Sequence, residues 1–135
     1  LSALSSLAED PSNIKELFYT REVNKAGIYM MIFYVNGVKT PVIVDDHLPC
    51  KNGRLAFARS VGEELWVCLL EKAWAKLYTS YARMEGGDPG FALSHLTGKP
   101  ADTFWHDDVK DRDEFWAQIK RADEKGYQMT AGSQG

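Results

Sequence analysis

The 135-residue chain is 44% hydrophobic and 26% charged, with 16 Lys+Arg against 19 Asp+Glu and a formal net charge of -3. That balance suits one globular unit with a core of its own and leaves no basic field to attract nucleic acid or an anionic membrane. No apolar run approaches the ~20 residues of a membrane span, and nothing reads as a signal peptide. Two cysteines, Cys50 and Cys68, make no disulfide framework, so a reducing, cytoplasmic compartment is expected.

In chain order, Leu1 to Leu7 places apolar residues at 1, 3, 4 and 7, the stripe of a buried helix. The pattern is already running at Leu1, so the chain is expected to be an excerpt from something longer. Asp10-Pro11-Ser12 reads as stop and restart, with Pro11 ending the first helix and Ser12 capping the next. Asn13 to Phe18 follows as a short helix with Ile14, Leu17 and Phe18 inward. Gly27 to Val35 and Val38 to Val44 are rich in β-branched and aromatic residues, and Asn36-Gly37 between them is a strong hairpin signal. Pro41 requires that the second strand leave one side unpaired there, or bulge.

Asp45 and Asp46 close that strand. Paired carboxylates suit acid/base work or a metal, but aspartates that cap backbone amides of a turn are the simpler account. Lys51-Asn52-Gly53 is a second turn and Leu55 to Phe57 a short strand. From Leu65 to Leu77, residues Leu65, Trp66, Cys68, Leu69, Leu70, Ala73, Trp74 and Leu77 recur at three- and four-residue steps, the broad apolar face of a long helix. Glu63 and Glu64 before it complement the helix dipole. Gly86-Gly87-Asp88-Pro89-Gly90 breaks the helical pattern. Phe91 to Leu96 is a short helix closed by Thr97-Gly98. Asp111 to Lys125 is another, with Phe115, Trp116, Ile119 and Ala122 on one face and Gly126 as its stop. Tyr127 to Ala131 starts a strand.

Three stretches carry more than periodicity: GIYMMIFYVNGVKTPVIVDDHLPCKNGRLAFARS, EELWVCLLEKAWAKLYTSY and MEGGDPGFALSHLTG. In order and spacing they resemble the protease core of the calpain family, calcium-dependent cysteine endopeptidases. The resemblance implies an α+β, papain-like cysteine protease core of calpain type, incomplete here. Residues 1–86 would be most of the first subdomain and 87–135 the beginning of the second. It also implies a nucleophilic cysteine at the start of the first helix, a few residues before Leu1, where a helix N-terminus favours thiolate. The catalytic histidine and asparagine would follow Gly135. Within the chain, Glu64 matches a carboxylate of a calcium site, and Gly87 matches a cleft glycine that hydrogen-bonds the substrate backbone. Gly132 would stand near substrate, at a position where family members often carry a hydroxyl. By the residues alone, Gly87 reads as an ordinary hinge or cap glycine. Calcium needs roughly six to eight oxygens, so Glu64 would be one ligand of a set completed elsewhere.

The chain offers no catalytic pair of its own. Cys68 sits on an apolar helix face, Cys50 in a turn, and His47, His95 and His106 show no thiol-protease spacing. No paired zinc spacing or Gly-rich phosphate loop is present. The acidic run after His106 and the charges from Lys120 to Lys125 read as solvated faces. Two functions follow from the resemblance. One is the middle of a working protease acting on protein substrates, inactive as this piece alone, in which calcium brings two subdomains into register. The other is a catalytically inert scaffold or binding protein, for instance in a cytoskeletal or ciliary assembly.

Overall fold

The computed structural model describes residues 2–56, 65–78 and 88–132. It is an α+β arrangement: α1 (Ser2–Ala8), α2 (Pro11–Leu17), β1 (Ile28–Val35), β2 (Val38–Asp45), β3 (Cys50–Lys51), β4 (Arg54–Leu55), α3 (Trp66–Leu77), α4 (Pro89–Thr97) and α5 (Arg112–Glu124), with a 3-10 turn at His106–Asp108.

β1 and β2 pair antiparallel from Ile28↔Asp45 to Val35↔Val38. Asn36 and Gly37 at the tip have φ of 50° and 76°. Positive φ at both central residues is the turn whose twist matches the flanking strands. Pro41 stands opposite Ile32, and the far edge of β2 meets no further strand among the described residues, so its missing N–H is tolerated. Alternation sorts the hairpin into two faces. Tyr29, Met31, Phe33, Val42 and Val44 are buried, whereas Ile28 and Ile43 point outward. A second small hairpin pairs Cys50 with Leu55 and Lys51 with Arg54. Phe57, expected to extend it, lies outside the described residues.

The buried hairpin face is covered by helices: α3 lies on β2, α4 on β1, and α1 against both α2 and α4. Leu7, Met31, Phe33 and Leu70 are the largest fully enclosed side chains, and one continuous cluster runs from Ala3 through Leu96. Along α3 the stripe falls as its spacing requires. Cys68, Leu69, Leu70 and Ala73 are buried, while Trp66, Trp74 and Leu77 are partly buried against the cluster. Leu65 precedes the helix and is exposed.

Four local expectations are corrected. Asp10, not Ser12, caps α2: its carboxylate accepts from Ser12 N at 2.9 Å. Pro11 begins that helix rather than ending the previous one, because the first helical position needs no N–H and suits the proline φ. On α5, Phe115, Ile119 and Ala122 are half-buried and Trp116 is exposed. Residues 127–132 form no strand. Exposure still alternates there, Tyr127 and Met129 outward and Gln128 and Thr130 inward, but no ladder partner is present among the described residues, and a strand is defined by its ladder.

Candidate functional site

Of the residues assigned a role by resemblance, Glu64 and Gly87 lie outside the described residues, as does the 86/87 boundary. Gly132 is exposed, and a Cβ built on it would meet nothing within 4 Å. The segment leading to Gly132 is joined to the first helix. Ser6 Oγ donates to Gln128 Oε1 at 3.1 Å, across 122 positions of sequence. Ser6 is buried, on the helix whose Ala3 and Leu7 enter the core.

The paired aspartates serve a turn. Asp45 Oδ1 accepts from His47 N at 2.8 Å and from Lys72 Nζ at 2.6 Å. Lys72 Nζ also donates to the Asp45 and His47 carbonyls. One turn further along α3, Lys76 Nζ donates to the Ile43 carbonyl at 2.7 Å. Two lysines at i and i+4 thus pin the end of β2 to α3. The Lys72 ammonium, seconded by the His47 amide, holds the Asp45 carboxyl at about 2, below its ordinary 3.8. Sequence reading missed this lock. Its only signal was the four-residue spacing of Lys72 and Lys76 on one face. Asp46 meets His47 Nδ1 at 3.7 Å, and its amide donates to the Gly27 carbonyl.

Cys50 is exposed, with Sγ 3.5 Å from the Leu48 carbonyl, and Cys68 is buried. His95 is a packing residue. Its ring lies 4.0 Å from the Phe91 centroid and edge-on to Trp74 and Tyr78. Its Nδ1 is 2.9 Å from the Phe91 carbonyl. A carbonyl can only accept, so Nδ1 carries the proton. The same burial raises the Tyr78 phenol above its ordinary 10.0. Beside His95, Tyr34, Phe91, Gly98 and Lys99 border an open recess of ≈ 390 Å³ between the hairpin tip and α4. Among the described residues no group of three or more His, Cys, Asp and Glu could hold a metal ion. None of the described helices is long and apolar enough to cross a membrane.

Chemically, then, the described residues form a scaffold: a pinned strand end, an aromatic seam between α3 and α4, and a first helix tied to the segment that reaches Gly132. Comparison with known proteins identifies the scaffold. The chain is 38% identical to the calpain-type cysteine protease DEK1 of Arabidopsis thaliana, over 98% of this chain and 6% of that protein. It is 39% identical to calpain-5 of Caenorhabditis elegans, over 78% of the chain and 17% of that protein. It is 40% identical to the calpain-2 catalytic subunit of Gallus gallus, over 75% of the chain and 14% of that protein. The chain therefore spans less than a fifth of the length of each of these relatives. The model of the family described as calpain family cysteine protease matches residues 1–135, and the chain belongs to that family.

Proposed function

We propose that the chain is the middle of a papain-like protease core in a calcium-dependent cysteine endopeptidase, with residues 1–86 contributing the first subdomain and 87–135 the start of the second. The observation that carries this reading is the family match over the whole chain, α1 included. In the reaction, a cysteine thiolate at the start of the first helix attacks the peptide carbonyl carbon and the C=O π pair moves onto oxygen. The imidazolium partner gives its proton to the leaving amine as the C–N bond breaks, leaving a thioester. Water then attacks the thioester, the histidine takes its proton, and the thiolate leaves. On this reading the cysteine and the histidine both lie outside this chain.

What this chain's residues contribute is placement. α1 is held rigid by its buried face, and Gly87 offers backbone to an extended peptide at close approach. Gly132, exposed and without a side chain, borders the cleft and leaves room for substrate. Calcium enters the reading through Glu64 alone. The described residues contain no metal-holding cluster, so they do not by themselves fit a calcium site, and no step is assigned to the ion. The protein acted on is a peptide substrate, and the compartment the cytoplasm.

The test uses the parent polypeptide and this chain side by side on a peptidyl fluorogenic substrate, with and without calcium. Hydrolysis by the parent, abolished by iodoacetamide and by chelation, is expected; the 135-residue chain alone should show none. A parent with no thiol-dependent hydrolysis overturns the protease reading and leaves a calpain-fold scaffold or binding protein. Hydrolysis insensitive to chelation removes the role of Glu64.

A further inference from the structure

The hydrogen bond between Ser6 and Gln128 joins two parts of the fold that stand 122 positions apart in sequence. Ser6 sits mid-helix in α1, buried between core positions Ala3 and Leu7. A serine hydroxyl buried there must find an acceptor. A helix offers its own carbonyls four residues back for the purpose, yet this hydroxyl reaches instead to Gln128 Oε1 at 3.1 Å. Gln128 lies on the inward side of the alternating segment 127–132, which has no ladder to hold it among the described residues. Tyr127 N is bonded to the Ala122 carbonyl, which fixes only the start of the segment to α5. α5 itself buries no residue fully. Among the described residues, this side-chain bond ties the segment to α1.

We infer that Ser6 and Gln128 are a positioning pair, which sets the nucleophile's helix against the segment that walls the cleft. The inference rests on the protease reading given above. The pair touches neither substrate nor reacting atoms and acts through the helix and the segment it joins. Losing it would let the two walls shift by a fraction of an ångström to an ångström. Misplacement on that scale costs catalysis between about tenfold and 100-fold, because reacting atoms must be held in near-attack geometry.

The experiment uses the parent polypeptide carrying Ser6→Ala, Gln128→Leu, both together, and Gln128→Glu. Leucine keeps much of the glutamine volume but no acceptor, while glutamate keeps an acceptor oxygen for the serine hydroxyl. Per folded molecule, kcat should fall roughly tenfold or more in each single variant and no further in the double, with KM changed less than about twofold, since only the alignment of reacting groups is lost. Gln128→Glu should retain most of the activity. A purely structural role would lower the melting temperature and leave kcat per folded molecule unchanged, and that result overturns the pair. Amide hydrogen exchange of residues 127–132 gives a readout independent of turnover. It should quicken in Ser6→Ala, and an unchanged rate overturns the pair even where the parent hydrolyses peptides. If the parent hydrolyses nothing but exchange quickens, the pair stands as a strut and the positioning role falls with the protease reading.

Discussion

The register of the β1–β2 hairpin can be tested by one pair of truncations. Phe33 is fully enclosed, faces Thr40 across the hairpin and meets Trp74 edge-on at 5.8 Å. Ile43, opposite Met30, lies on the other face and is 51% exposed. Phe33→Ala removes a ring that buries roughly 150–250 Å² and leaves a cavity among rigid neighbours. Large-to-small truncations of this kind cost about 3–5 kcal/mol, and loss of the edge-to-face contact with Trp74 places this one near ~4 kcal/mol. Ile43→Ala, already half in water, should cost below ~1 kcal/mol. Urea unfolding followed by tryptophan fluorescence reads both. At a slope of roughly 2 kcal/mol per molar urea, the midpoint should move by ~2 M for Phe33→Ala and by less than ~0.5 M for Ile43→Ala. A one-residue slip would exchange the two faces of the strand. Equal losses, or a larger loss at Ile43, would therefore refute the register.

Three further outcomes are expected. Because the folded Asp45 pKa, about 2, lies below the ordinary 3.8, its contribution to stability is complete above about pH 4 and is lost as pH falls through 2. Lys72→Met should flatten urea midpoints across that window, and parallel pH profiles for the two proteins would remove the lock from the account. Gly98 has φ of 72°, and a Cβ there would stand 2.7 Å from Tyr34 Cδ1, whereas Gly37 has φ of 76° and open space around it. Alanine at either should cost roughly 1–2 kcal/mol in left-handed strain, with the collision added only at Gly98; equal shifts in melting temperature would show that Tyr34 yields freely. Iodoacetamide should label Cys50 in the native chain and Cys68 only in denaturant, since one is exposed and the other buried; native labelling of Cys68, read by mass spectrometry, would contradict its place on the buried face of α3.

Where a local rule acts alone, the sequence was a sufficient guide. Asn36-Gly37 specified its turn because few other residue pairs tolerate two positive φ values. The apolar stripe of α3 specified which side faces the hairpin because period and burial agree. The failures share a cause, a partner far away in sequence. Residues 127–132 keep strand-like alternation but lack a ladder partner among the described residues, and nothing in Tyr127 to Ala131 itself encodes whether one is present. Trp116 has the right spacing for burial and is left exposed because α5 meets little of the core. Ser6–Gln128 and Lys72–Asp45 each join residues that no window of sequence contains together. Asp10 and Ser12 are both good caps, and the choice between them turned on Pro11, whose fixed φ belongs inside the second helix.

The residues that carry the family resemblance divide by the work they do. Asp45 of the VDD turn is pinned by Lys72, and Lys76 of the same helix reaches the Ile43 carbonyl. Ala73 and Ala75 of that helix are buried. Thr97 Oγ1 of the LTG segment donates to the Leu93 carbonyl, and Gly98 adopts the left-handed conformation under the Tyr34 ring. Each is accounted for by the fold, so a protein that had lost catalysis would still need them to keep its core. Gly132 differs. Its φ is not in the left-handed region, and no neighbour would be displaced by a side chain there. Packing therefore does not demand glycine at 132, and a requirement for it would have to come from something outside the described fold, such as a peptide in the cleft. The residues of the resemblance that the fold accounts for would thus be kept in a calpain-fold scaffold and in a working protease alike, and thiol-dependent hydrolysis by the parent decides between the two.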